Sequence, residues 1–312
     1  MNEIITANNN TLATAPQIIT EGLYKSFISY LDASPKTIET YTRAIRQFAK
    51  WTGERGITRP TREDIIAYRD ELKESHKPST VQNYIIATRL FFSWTEQEGI
   101  YPNVAQHIKG AKLDRDHKKD YLTPNQVKKI LGKIDRSTDQ GKRDYAILAL
   151  MITGGLRTIE VVRANIEDLT IAGDRSILYI QGKGHNERAE YINVSPQVED
   201  AIREYLKTRT DTEGKQPLFT SLSNNSKGDR MTTRSISRLV KNAFINAGFN
   251  SEKLTAHSTR HTAVTLALMG GESLEEVQQF ARHANITTTQ IYAHNLDRAN
   301  NKCSNVIAKA IF

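Results

Sequence analysis

Apolar residues recur at three- and four-residue spacing between residues 21 and 108, which is the spacing of one face of an α-helix. The clearest such face is formed by Ile38, Tyr41, Ile45 and Phe48. Its helix is predicted to begin at Ser34-Pro35, because serine caps a helix N-terminus and proline fits the first turn. Further helix starts are predicted at Thr61, with Asp64 three residues on, and at Ser79, with Gln82. Residues 21–108 are therefore predicted to form an all-helical domain.

Residues 121–312 combine helical spacing with alternation. Thr123-Pro124 opens a helix, and a buried helix is predicted from about 143 to 153. Residues 176–181 and 187–194 alternate apolar and polar side chains around a glycine-rich turn, which predicts a β-hairpin. Later helices are predicted from Ser195-Pro196 and near 233–247, 258–269, 273–282 and 287–293. The expected fold class is α+β, mainly helical with a small antiparallel sheet.

The segments outside these two domains are polar. Residues 1–20 are rich in Asn, Thr and Ala, and we expect a disordered tail. Residues 109–120 lack an apolar period and carry five basic against three acidic residues, as an exposed linker does. A C-terminal tail is expected from about residue 295, at the end of the second domain, 121–312. Its apolar positions, one helical stripe, are Val306, Ile307, Ala310 and Ile311.

Composition narrows the functional classes. With 38% hydrophobic and 25% charged residues among 312, the chain is typical of soluble proteins, and no apolar run approaches 18 residues. The first 20 residues lack the pattern of a secretory signal. The single Cys303 excludes an internal disulfide and a cysteine-based zinc site, and fits a reducing cytosol. A net charge of +8 favours a polyanionic partner, although basic proteins without one are equally common.

Two polar faces of the first domain are candidate DNA contacts. On the helix after Ser34-Pro35, the face opposite the apolar one carries Arg43, Arg46 and Lys50. The helix predicted from Ser79 offers Thr80, Asn83, Thr88 and Arg89, groups suited to reading base edges in a major groove. An ordinary solvated surface explains both faces about as well.

The residues with most chemical potential lie in the second domain: Arg157, Lys183, His257, Arg260, His283 and Tyr292. Arginine suits phosphate because its planar guanidinium donates paired hydrogen bonds. A tyrosine that attacks a phosphodiester conserves the bond energy in phosphotyrosine, so religation needs no ATP. The sequence has no Walker loop and no compact Asp/Glu cluster for two magnesium ions. These features predict a DNA strand-transfer site that uses no metal and no cofactor.

In this order and spacing, the motifs resemble those of the tyrosine recombinase (phage integrase) family over about residues 21–312. Leu156-Arg157-Thr-Ile-Glu160 resembles the first arginine box, and Gly182-Lys183-Gly184 the hairpin turn with the catalytic lysine. His257-Ser-Thr-Arg260-His261 resembles the His-x-x-Arg box, and Thr287 to His294 the nucleophile segment. Phe280-Ala-Arg-His283 departs from the usual Leu-Gly-His. It keeps the histidine and adds a cation, Arg282, to which the sequence assigns no role.

The resemblance implies a role for each residue. Tyr292 would be the nucleophile of a 3′-phosphotyrosyl link, Arg157 and Arg260 would bind the scissile phosphate, and Lys183 would protonate the leaving 5′ oxygen. His257 would assist proton transfer, His283 would hydrogen-bond the phosphate, and Glu160 would support the arginines. His261 and His294 are predicted to be structural.

The resemblance also implies a helical core-binding domain of the SAM-like type and a catalytic domain that together clamp duplex DNA. A homotetramer would exchange strands through a Holliday junction in the cytoplasm, on the nucleoid. Only about 20 polar residues precede the first domain, so we expect no arm-binding domain, as in Xer-like or transposon integrases. The tail is expected to dock on a neighbouring subunit, with docking on its own chain as the alternative. Type IB topoisomerase activity and a non-cleaving DNA-binding accessory role remain open alternatives.

Overall fold

A computed structural model describes residues 20–112, 120–181, 190–299 and 303–311. The chain divides into two compact units, Met1–Arg115 and Asp116–Phe312, which we describe separately. The predicted disordered tail, except for Thr20, and most of the predicted linker, residues 113–119, lie outside the described residues.

The described part of the first unit contains helices and no strand. Its helices are α1 (Glu21–Tyr30), α2 (Pro35–Glu54), α3 (Arg62–Ser75) and α4 (Pro78–Gln97). The predicted starts of α2 and α3 are confirmed, with caps at Ser34 and Thr61. The predicted start at Ser79 is wrong. Helix α4 begins one residue earlier, at Pro78, with Lys77 as its N-cap. Proline fits the first turn because it lacks the backbone N–H that would have no partner there.

An aromatic core holds these helices together. Phe27 of α1 meets Phe91 of α4 edge to face, with ring centroids 5.2 Å apart. Phe48 of α2 meets Phe92 of α4 in the same way at 5.9 Å. Each of these side chains is at least 97% buried. Large apolar area removed from water is the main stabilising contribution here.

The second unit contains nine described helices, three strands and one 3₁₀ turn. The helices before the sheet are α5 (Pro124–Gly132), α6 (Asp139–Thr153) and α7 (Thr158–Arg163). The 3₁₀ turn Ile166–Asp168 leads into strands β1 (Leu169–Ala172), β2 (Arg175–Ile180) and β3 (Glu190–Val194). The remaining helices are α8 (Pro196–Leu206), α9 (Thr233–Asn246), α10 (Ala256–Met269), α11 (Leu274–Ala281), α12 (Ile286–Ala299) and α13 (Cys303–Ile311). The predicted fold class is confirmed.

The sheet is antiparallel with strand order β1-β2-β3. Strands β2 and β3 pair in the register Leu178 opposite Ile192, as the predicted hairpin requires. Its turn, residues 182–189, lies outside the described residues. Strand β1 was not predicted, because four residues are too few to display a clear alternation.

Two buried helices form the centre of the second unit. Helix α6 is almost wholly apolar from Ala146 to Ile152 and packs against α8 and α10. Helix α10 is buried despite its polar sequence, because its hydroxyls find partners. For example, Thr262 donates to the carbonyl of Ser258 and accepts from the backbone N–H of Leu122 at 2.9 Å. In the described part of the chain, no helix is long and apolar enough to cross a bilayer.

Candidate active site

Helix α10 carries Arg260 into the interior of the second unit. The Arg260 side chain is only 2% exposed, although arginine is almost never buried without partners. Its guanidinium donates from Nη1 to the carbonyl oxygen of Gly155 at 2.7 Å and from Nη2 to the carbonyl oxygen of Ala281. Gly155 reaches this position with φ of +58°, a conformation that favours glycine. Arg260 is therefore a fixed buried cation.

Arg157 lies at the N-cap of α7, and its side chain is partly exposed to solvent. Glu160, one turn later and 0% exposed, accepts from both the backbone N–H and the Nη1 of Arg157, each at 2.8 Å. The Arg157 side chain is 32% exposed. Glu160 therefore anchors the Arg157 side chain, part of which stays accessible to solvent.

Arg282 brings a third arginine to the same cluster, which the sequence interpretation left without a role. It caps the C-terminus of α11 with φ of +53° and ψ of +48°, in the left-handed region. Its Nη2 donates to Glu160 Oε2 at 3.0 Å and to the carbonyl oxygen of Gly155 at 3.2 Å. Two arginines thus share one carboxylate while Arg260 lies near enough for their charges to act on it, and the excess positive charge favours an anionic ligand.

Tyr292, on α12, packs among histidine rings and is 6% exposed. Its ring centroid lies 5.1 Å from that of His261 and 6.1 Å from that of His283. The ring of His261 also meets that of His257 edge to face at 4.6 Å. The Nδ1 of His283 lies 2.9 Å from the hydroxyl of Thr289, which leaves Nε2 as the other polar edge of the ring. The structure therefore places the rings of His283 and His261 against Tyr292, with His257 packed on His261.

The arginines and the tyrosine influence one another electrostatically. Burial, with repulsion from Arg157 and Arg282, lowers the pKa of Arg260 to about 10, so it stays charged at neutral pH. Burial raises the pKa of Tyr292 to about 12, although the charges of Arg260 and Arg157 act in the opposite direction. Burial opposes ionisation of Glu160, but the charge of Arg282 and the bonds from Arg157 outweigh it and lower the pKa of Glu160.

A cleft of about 720 Å³ opens beside this cluster. Arg157 and His257 contribute to its lining, together with Ser237 and Lys241 of α9. Lys241 donates to the carbonyl oxygen of Ser251 at 2.6 Å and so ties α9 to the segment before α10. The cleft admits a ligand to the exposed side of Arg157.

Other predicted site residues lie outside the described part of the chain or in the first unit. Lys183 and the Gly182–Gly184 turn lie outside the described residues. In the first unit, the exposed cations of α2 each have a neighbour: Arg43 pairs with Glu39 at 3.0 Å and Lys50 with Glu54 at 3.7 Å. Arg46 lies over the ring of Tyr24 at 5.5 Å.

On α4, Asn83 and Arg89 are exposed and Thr80 is half-buried. The suggestion that Thr88 reads base edges is wrong. Its side chain is fully buried and donates to the carbonyl oxygen of Tyr84 at 2.9 Å.

Sequence reasoning assigned no role to Arg282, which donates to Glu160, and did not consider Thr289, which lies 2.9 Å from His283. His261, predicted to be structural, packs its ring against those of His257 and Tyr292. No sequence signal marked the contact of Arg282 with Glu160, because 122 residues separate the two. Among the residues with described positions, no group of three or more His, Cys, Asp or Glu is arranged to hold a metal ion.

A phenol packed against two histidine rings, with the charges of Arg260 and Arg157 acting on it, is an arrangement suited to an anionic ligand beside a nucleophile. Residues 120–299 match the model of the phage integrase family, and residues 23–100 match the phage integrase N-terminal SAM-like domain. The chain therefore belongs to the phage integrase family.

Its curated relatives are tyrosine recombinases. It is 31% identical to XerC of Pelobacter propionicus over 272 residues, which cover 85% of this chain and 87% of that one. It is 31% identical to XerA of Pyrococcus horikoshii over 280 residues, 88% and 90% of the two chains. The match to a Synechococcus elongatus recombinase, 31% identical, covers 66% of this chain and 64% of the relative. The match to Caldanaerobacter subterraneus XerC, 35% identical, covers only 62% and 52%.

Solved structures share the fold. The XerH recombinase bound to palindromic difH substrate superposes with a TM-score of 0.71 at 21% identity, covering 91% of this chain and 84% of that one. The Tn1549 transposon integrase bound to a circular-intermediate DNA superposes with a TM-score of 0.70 at 18% identity, covering 89% and 95%.

Proposed function

We propose that this protein is a site-specific tyrosine recombinase, which breaks and rejoins duplex DNA through a covalent 3′-phosphotyrosyl intermediate. One observation carries the proposal. The Tyr292 phenol packs against His261 and His283, close enough to Arg260 and Arg157 for their charges to act on its pKa. A nucleophile, imidazoles and phosphate-binding cations are the groups that covalent phosphodiester cleavage requires.

The proposed chemistry conserves the number of phosphoester bonds. The Tyr292 oxygen attacks the scissile phosphorus while the bond from phosphorus to the 5′ oxygen breaks. The phenol proton passes to His257, and Lys183 donates a proton to the leaving 5′ oxygen. Attack by a 5′ hydroxyl of the partner strand reverses these transfers and releases Tyr292. No bond energy is lost, so the reaction requires no ATP, and we infer that it requires no cofactor and no metal.

The remaining residues stabilise charge on the phosphate. Arg157 and Arg260 neutralise the non-bridging oxygens as the phosphorane forms, and His283 donates a hydrogen bond to one of them. Glu160 holds Arg157 through the two bonds described above. A cation fixed before the reaction stabilises developing charge without the cost of reorganising.

The direct test replaces the nucleophile. Tyr292→Phe removes only the attacking oxygen, so the variant should bind its DNA site with unchanged affinity and form no covalent adduct on a nicked suicide substrate. Gel-shift titration and denaturing electrophoresis measure the two properties on the same DNA. A normal yield of adduct with Tyr292→Phe would refute the assignment.

A second test addresses Lys183. Lys183→Ala should cleave slowly on normal DNA and recover on a substrate with sulfur at the scissile 5′ position, because a thiolate leaves without a proton. Arg260→Ala is the matched control, since a phosphate-binding defect is not bypassed by sulfur. Equal recovery of both variants, or of neither, would exclude Lys183 as the general acid.

The partner in this proposal is double-stranded DNA at specific recombination sites. We also propose that the protein works in the cytoplasm, on the nucleoid. The exposed Asn83 and Arg89, with Thr80, Arg43, Arg46 and Lys50, are the proposed contacts of the first unit. Arg43 and Lys50 already pair with glutamates at the surface, and such pairs contribute little, so exchanging them for phosphates costs little. The curated relatives are recombinases, which argues against the topoisomerase and accessory-protein alternatives.

We further propose a homotetramer in which α13 docks on a neighbouring subunit. Val306, Ile307 and Ile311 of α13 are exposed, and an apolar stripe of this kind is stabilised when a partner covers it. Truncation after residue 301 should preserve binding to a single site but reduce synapsis and strand exchange on paired sites. Unchanged recombination by the truncated protein would exclude docking in trans.

A further inference from the structure

Arg282 occupies a backbone position that disfavours its residue type. Among the described non-glycine residues, only Arg282 and His107 have positive φ, at +53° and +59°. A side chain in the left-handed region crowds its own backbone, and glycine avoids this strain. Because the strain is retained, the contacts of the Arg282 side chain must compensate for it.

Those contacts lie entirely within the arginine cluster. The guanidinium of Arg282 donates to Glu160 Oε2 at 3.0 Å, to the carbonyl of Gly155 at 3.2 Å and to the carbonyl of Phe280 at 2.9 Å. The side chain is 6% exposed and the partner carboxylate 0% exposed. These hydrogen bonds all end on the protein itself, and Arg282 does not line the cleft beside Arg157, so it acts through its neighbours.

The carboxylate of Glu160 divides its two oxygens between two arginines. Oε1 accepts from Arg157 Nη1, whereas Oε2 accepts from the Arg157 backbone and from Arg282. Without Arg282, a buried carboxylate would face a single cation and would draw the Arg157 guanidinium into a two-pronged pair. With Arg282 present, Arg157 commits one nitrogen to Glu160 and keeps its exposed side for a phosphate.

We propose that Arg282 is a positioning residue, which holds Glu160 and thereby keeps Arg157 oriented for the scissile phosphate. The proposal rests on the proposed recombinase function. It assigns this chain a cluster of three arginines, in which Arg157 and Arg260 act on the phosphate and Arg282 holds the carboxylate of Glu160.

The test uses the full-length protein and compares Arg282→Met, which keeps length without charge, with Arg282→Lys and Arg282→Gly. Arg282→Gly relieves the backbone strain and so separates loss of the cation from misfolding. His107→Gly relieves the same strain in the first unit and is the matched control. Single-turnover adduct formation on a suicide substrate and the dissociation constant for DNA are measured for each variant.

We expect Arg282→Met and Arg282→Gly to slow adduct formation by about 10- to 100-fold, the range expected when a catalytic group is displaced by a fraction of an ångström to an ångström. DNA affinity should change by less than about twofold, because Arg282 does not face the ligand, and Arg282→Lys should recover part of the rate. His107→Gly should cleave like the wild type. The defect should shrink on a substrate whose scissile phosphate is a neutral methylphosphonate, which needs less cationic charge.

A double-variant comparison tests the route through Glu160. In a Glu160→Gln background, Arg282→Met should add little further loss, because the two residues act as a unit. Wild-type cleavage by Arg282→Gly, an equal defect on charged and neutral phosphates, or fully multiplicative losses in the double variant would each overturn the proposal.

An NMR measurement keeps this proposal separate from the proposed function. The guanidinium ¹⁵N signal of Arg157, assigned with Arg157→Lys, should shift in Arg282→Met but not in His107→Gly. Failure of the wild type to form any adduct would refute the recombinase function, whereas an unmoved Arg157 signal would refute the positioning role.

Discussion

The raised pKa of Tyr292 makes the stability of the folded protein depend on pH. Burial raises that pKa from the ordinary 10.0 to about 12. A difference of about two pKa units corresponds to roughly 2.7 kcal/mol between the protonation states. The fold favours the neutral phenol, so this contribution is complete below pH 10 and is lost as the pH rises from 10 to 12. At pH 11 about 1.4 kcal/mol of it should be gone.

The comparison of wild type with Tyr292→Phe isolates this one phenol, since the other tyrosines titrate in both proteins. Free energies of unfolding from urea titrations at pH 8, 9, 10 and 11 would be measured for each protein. The wild type should lose about 1.4 kcal/mol more than the variant between pH 8 and 11. A constant difference across this range would show that the phenol titrates at its ordinary pKa, and the burial argument would fail.

Three further outcomes follow from the same contacts. Thr289→Val, which removes the hydroxyl 2.9 Å from His283, should slow adduct formation about 10-fold, whereas Thr289→Ser should not slow it. Equal rates for the two variants would show that the contact does not matter. Gly155→Ala and Gly173→Ala should each cost about 1–2 kcal/mol in thermal unfolding, because both have positive φ. Gly155→Ala should cost more, since its added carbon would lie 3.1 Å from the Phe280 ring, whereas Gly173 is open. Adduct formation should persist in EDTA, and loss that magnesium restores would contradict the metal-free chemistry.

Local sequence chemistry was sufficient for most helix starts and for the fold class. Ser34-Pro35 and Thr123-Pro124 cap helices as predicted, because a hydroxyl acceptor and a proline act within one turn. The failures also have local reasons. Helix α4 begins at Pro78 and not at Ser79, because proline suits the first turn. Thr88 is buried, since its hydroxyl donates to the carbonyl oxygen of Tyr84 in the preceding turn.

For the candidate site too, the sequence indicated some features and only the structure revealed others. Residue type, spacing and the family resemblance proposed Arg157, His257, Arg260, His283 and Tyr292 as site residues, because the chemistry of phosphate and nucleophile depends on the side chains themselves. The sequence did not reveal that α10 is buried, although its hydrophobic pattern is weak. Its hydroxyls and its arginine are satisfied by partners that lie up to 140 residues away.

The sequence by itself therefore determined the α+β class and most of the helices, and it supplied the residues from which the candidate site is proposed. Only the tertiary structure decided that Tyr292 is buried, that Gly155 offers its carbonyl to two arginines, and that Arg282 donates to Glu160. Helix periodicity and capping depend on neighbours within a turn or two. Burial, pKa and the sharing of one carboxylate depend on which distant segments pack together, and that is a property of the folded chain.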